Sequence, residues 1–112
     1  MSDALRKLLK ESAQAPAITP HIGVLTLHFQ LYACDNLKAK RKVFAPLKAS
    51  WGKEPDLAVA ETDHQDTLDC ATWTVVALGS SSQQISQRLD QVEKAIEERV
   101  DAAILDIHRE IL

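Results

Sequence analysis

The chain has 112 residues, 46% of them hydrophobic and 26% charged, with a net charge of −3 at neutral pH. That length specifies one domain with its own core, and the composition excludes a disordered chain. An acidic total also excludes a domain that grips nucleic acid over its whole surface, so any such role must rest on a local patch. No apolar run approaches the roughly 20 residues of a membrane span, and the N-terminus does not read as a signal peptide. The expected location is cytoplasmic, with no membrane partner.

Residues 2–13 form a short amphipathic pattern in which Ser2 caps and Leu5, Leu8 and Leu9 make one face. Pro16 and Pro20 break it, because each disfavours helix at the residue before it. Residues 1–20 therefore read as a helix on a Pro-containing tether, and residues 21–112 as the domain proper. The first strand follows from His21. Leu25, Leu27, Phe29 and Leu31 alternate with Val24, Thr26, His28 and Gln30, the period of a half-buried strand.

Asp35 or Asn36 caps the next helix, whose buried side is marked by Leu37, Phe44, Leu47 and Trp51. Pro46 removes the hydrogen bond to the Lys42 carbonyl, so a kink or an early end near Ala45 is expected. Leu57 to Asp63 forms strand two, with Leu57, Val59 and Glu61 on one face. Ala71 to Leu78 forms strand three, with Trp73, Val75 and Ala77 on one side and Thr72, Thr74 and Val76 on the other. Ser81 and Gln84 fit a capping box. Ile85, Leu89, Val92, Ile96 and Val100 then give the strongest helical stripe in the chain. In strand four Leu105 and Ile107 face one way, and Asp106, His108 and Glu110 the other.

The order β-α-β-β-α-β predicts an α+β, ferredoxin-like fold: an antiparallel four-stranded sheet with two helices on one face, plus the short N-terminal helical extension. Right-handed crossovers place strands one and three centrally and strands four and two at the edges.

Asn36-Leu37-Lys38-Ala39-Lys40-Arg41, followed by Ala58-Val59-Ala60-Glu61-Thr62-Asp63 and Asp66, resembles the YlxP-like family of small bacterial domains without an established function. The similarity runs from about His21 through strand four. It implies a ferredoxin-like fold, a cytoplasmic location and a translation setting. The chain departs from the family pattern in residues 1–20, at Ala39, at Trp73-Thr74 and at Pro46.

The stretch from Lys38 to Lys42 holds four of the 13 basic residues in five positions. A helix N-terminus carries partial positive charge, so Lys38, Lys40, Arg41 and Lys42 need negative compensation. One source is an outside anion or an RNA backbone. The other is internal: the hairpin after strand two turns at the same end of the sheet, so Glu61 can reach Lys40 or Arg41. A structural Arg41–Glu61 pair is the favoured assignment. Lys38, Lys40, Lys42 and Lys48 are the anion or RNA candidates, with Lys38 and Lys42 foremost.

The acidic hairpin Asp63, His64, Asp66 and Asp69 is dense enough to raise a divalent metal or an Asp66–His64 acid–base pair. It lacks the glycine and terminal glutamate of a calcium loop, and no nucleophile lies near it in the sequence. A solvated hairpin is the expected state, with no metal, no cofactor and no catalytic residue. His28 and His108 are expected on the open sheet face, as surface histidines or as cross-strand partners. Cys34 and Cys70 read as reduced thiols, since a cytosolic disulfide is rare. Trp73 points to the helix side, so the aromatic base platform of an RNA-recognition sheet is not expected.

The functional expectation is a non-enzymatic binding protein whose partner is ribosomal RNA or a ribosome-associated protein. The alternative is a homodimer that packs through the open sheet face, where Val24, Val76, Leu78 and Ile104 leave an apolar patch.

Overall fold

The computed structural model describes residues 3–5, 20–32 and 34–112. Asp3, Ala4 and Leu5 are helical; the remainder of the expected helix over 2–13 and its tether lie outside the described residues, Pro20 excepted. The elements are β1 (His21–Gln30), α1 (Leu37–Trp51), β2 (Leu57–Asp63), β3 (Cys70–Gly79), α2 (Ser82–Arg99) and β4 (Ala103–Ile111). They form an α+β fold with one antiparallel sheet in the order β2-β3-β1-β4.

The two periods in the sequence meet in one core. Leu25, Leu27, Phe29 and Leu31 from β1 and its exit join Trp73, Val75 and Ala77 from β3. Phe44, Leu47 and Trp51 from α1, and Ile85, Leu89, Val92 and Ile96 from α2, close over that face. Phe44 bridges the layers, with its ring centroid 5.1 Å from Phe29 and 5.4 Å from Trp73. Burying each such side chain stabilises the fold by about 1.5–3 kcal/mol before the entropy of ordering is counted.

Helix α1 starts where Asn36 Oδ1 accepts from the Ala39 amide at 2.8 Å, so Asn36 rather than Asp35 is the cap. The helix is continuous through Pro46 to Trp51, against the expected early end. Leu47 and Trp51 lie beyond the proline and are buried, so tertiary packing holds the last turn despite the missing backbone bond. At α2, Ser81 Oγ accepts from the Gln84 amide at 3.1 Å, and Gln84 Oε1 accepts from the Ser80 amide at 2.9 Å. The capping box therefore closes one residue further back than its usual form.

Strand β4 corrects the sequence reading. Ile104 pairs with Phe29 and Asp106 with His28, with a register shift between His28 and Phe29. The extra residue is Leu105, which is 61% exposed, while Ile104 packs against the core. A bulge exchanges the faces on either side of it, so Leu105 rather than Ile104 lies outside. Past the bulge, Arg109 aligns with Leu25 and reaches Asp90 Oδ1 on α2 at 2.8 Å.

Candidate functional site

Lys40 decides the geometry of the charged end. It falls four residues before Phe44, seven before Leu47 and eleven before Trp51, so it shares their buried face. Its side chain is 3% exposed. Nζ donates to the His64 carbonyl at 2.6 Å and to the Thr67 carbonyl at 2.7 Å, and stands 3.0 Å from Glu61 Oε2. All three ammonium protons are thereby engaged.

The internal partner of Glu61 is thus Lys40, and the expected Arg41–Glu61 pair does not form. Arg41 lies about a quarter-turn away on the helix and is exposed. Lys40 is likewise removed from the anion candidates, because a lysine engaged beneath the hairpin presents no charge to solvent.

The hairpin that Lys40 holds is tightly turned. His64 has φ 61°, a left-handed conformation uncommon outside glycine but more frequent in histidine than in most residues. Its amide donates to Asp63 Oδ1 at 2.8 Å, and its Nε2 lies 3.7 Å from Asp63 Oδ2. His64 thus consorts with Asp63 rather than Asp66. Asp63, Asp66 and Asp69 are exposed. Among the described residues no three His, Cys, Asp or Glu side chains converge as metal ligands.

Cys34 and Cys70 are free thiols, both half-buried. Burial first, and then the adjacent Asp69 carboxylate, push the Cys70 thiol above its ordinary value. On the open face His28 Nδ1 shares a proton with Thr72 Oγ1 at 2.9 Å, and Thr74 Oγ1 meets Thr62 Oγ1 at 2.9 Å. His28 is the cross-strand neighbour of Asp106, and His108 that of Thr26.

Lys38, Arg41, Lys42 and Lys48 are exposed on α1, with the small residue Ala45 among them and Ala49 directly after Lys48. Spacings of three and four residues put them on one continuous arc. Other arginines are engaged elsewhere. Arg88 makes two bonds to Asp56 (2.9 and 3.2 Å), and Arg109 binds Asp90. Arg99 donates to Ser50 and lies over the Trp51 ring at 5.8 Å. Among the described residues no ion pair forms at Lys38, Arg41, Lys42 or Lys48.

Beside this arc a groove of about 830 Å³ opens between α1 and β2. Its walls are Leu37, Phe44, Ala45, Ala49 and Val59, and Arg41, Lys48 and Lys53 stand around it. Glu61 and Trp73 also line it, with Gln65 and Asp66 at the hairpin end. Sequence reasoning missed the groove, Lys53 and Trp73 as a lining residue. The usable signal was that Trp73 sits directly opposite Glu61 on the helix-covered face.

Fold and site together define a small α+β domain with a cationic helix flanking a pocket at one sheet edge. The chain belongs to the family described as protein of unknown function (DUF503), whose model matches residues 22–109. No curated protein matches it.

Proposed function

We propose that this domain is a non-enzymatic binding protein that takes the phosphate backbone of RNA on the exposed arc of α1. The carrying observation is the set Lys38, Arg41, Lys42 and Lys48, exposed along one side of one helix and without ion pairs among the described residues. Cations left free in this way attract a polyanion, whereas paired ones do not. They run along a surface instead of converging on a reacting atom, which suits backbone contact rather than catalysis.

A ferredoxin-like reading of the β-α-β-β-α-β order and the YlxP-like resemblance support a ribosomal RNA or ribosome-associated partner in a cytoplasmic translation setting. The test is a pull-down from lysate with the wild type and the Lys38→Ala/Lys42→Ala variant, with and without nuclease. Ribosomal RNA recovered by the wild type alone, and lost on nuclease treatment, supports the proposal. Identical recovery by the two proteins contradicts it.

A second reading, self-association through the open sheet face, draws on Leu78, which is 53% exposed beside half-buried Val24 and Val76. An apolar cluster on an uncovered face favours a second copy packed about a two-fold axis.

A further inference from the structure

One buried polar atom beside the groove, Trp73 Nε1, has no hydrogen-bond partner. Trp73 is 5% exposed and its Nε1–H donates to nothing; Glu61 turns Oε2 to Lys40 Nζ at 3.0 Å, which leaves its other carboxylate oxygen for the groove. The two residues are direct cross-strand partners, and both line the groove. Leaving a buried donor unpaired in a dry site is unfavourable. Glu61 is 21% exposed and lines the groove.

We propose that the groove between α1 and β2 is a base-binding site for one nucleotide of a single-stranded RNA, with the base edge on Trp73 Nε1 and Glu61 and the phosphate on Lys48 and Lys53. The inference rests on the RNA reading above and gives it a specific pocket. Every base edge offers acceptors and N–H donors close together, which is the complement of an indole N–H beside a carboxylate. Sequence-selective RNA recognition takes unstacked single-stranded bases in this way. The apolar walls suit a base's faces, and the volume falls within the roughly 300–1,000 Å³ of small-ligand sites.

Charge fixes the direction of the nucleotide. At the hairpin end the acidic Glu61 and Asp66 are set against Lys40 and Arg41, whereas Lys48 and Lys53 at the other end face no acidic lining residue, so the phosphate goes there.

The experiment compares a five-nucleotide single-stranded RNA with an abasic oligomer of the same length, using isotope-labelled protein and the two indole N–H resonances. The base-containing oligomer should shift the Trp73 resonance and leave Trp51 unmoved, and should bind roughly threefold to tenfold more tightly than the abasic one, the value of one net hydrogen bond. Trp73→Phe keeps the aromatic packing and removes the donor, so it should bind both oligomers with the abasic affinity. Four homo-oligomers then report which base is preferred. Equal binding of the two oligomers by the wild type, or an unmoved Trp73 resonance, overturns the base site while leaving the backbone track intact. Binding of neither oligomer overturns both.

Discussion

Lys40 Nζ stands 3.0 Å from Glu61 Oε2 while the residues on either side of Lys40 in α1 are half-buried or exposed. That contact ties the first turn of α1 to the β2–β3 hairpin, and its bonds to the His64 and Thr67 carbonyls fix the loop itself. Removing one member of a buried pair leaves the other uncompensated, so Lys40→Met should destabilise the fold by about 3 kcal/mol. Arg41→Ala, at an exposed position, should change stability by no more than about 0.5 kcal/mol. Urea denaturation of the two variants checks both values; equal midpoints would remove the structural role given to Lys40.

Gly23 lies on the inner face of β1 beneath α2 and is buried. A Cβ there would fall on Ile85 Cγ2 and sit 3.0 Å from Leu89 Cδ1. Gly23→Ala should therefore overpack the interface and cost about 1–3 kcal/mol, read as a fall in melting temperature. A neutral result would mean that α2 lifts off β1 without loss.

Cys70 gives a pH-dependent test. Burial and the Asp69 carboxylate both favour the neutral thiol in the folded protein. The unfolded chain therefore ionises first as pH rises, and this contribution to stability is lost through the alkaline thiol range. At pH 8 in a Cys34→Ser background, Cys70 should react with iodoacetamide more slowly in the folded protein than in urea. Asp69→Asn should speed the folded reaction without matching the urea rate, because burial remains. An unchanged rate would exclude the carboxylate as a cause.

Self-association through the open sheet face has a direct readout in sedimentation velocity. A dimer at micromolar concentration that dissociates in Val76→Glu is the expected result. A wild type that sediments as a monomer at that concentration would sink this reading.

Much of this architecture was legible because hydrophobic period reports burial. The alternation of Leu25, Leu27 and Phe29, and the stripe from Ile85 to Ile96, located β1 and α2 directly. The charged end was half legible. Phe44, Leu47 and Trp51 defined a buried face, and Lys40 lies on it by spacing alone; its charge made it look like a surface residue. The faces of β4 were not legible, because a bulge at Leu105 is set by pairing with β1 and leaves no mark in the local pattern. The continuity of α1 through Pro46 was hidden for a similar reason: the local rule predicts a break, and the packing of Trp51 overrides it. The groove depends on the separation of α1 from β2, which no single segment encodes.

The central claim is that the exposed cations of α1 hold an RNA backbone. Fluorescence anisotropy of a labelled single-stranded RNA, titrated with protein over a series of salt concentrations, tests it most directly. For contacts by Lys38, Arg41, Lys42 and Lys48, the log–log slope of affinity against salt should be about −3, at about −0.7 per single-strand phosphate. The variant with Lys38, Arg41, Lys42 and Lys48 all changed to alanine should lose both the binding and the slope. Wild-type binding that is absent, indifferent to salt, or matched by that variant would contradict the account.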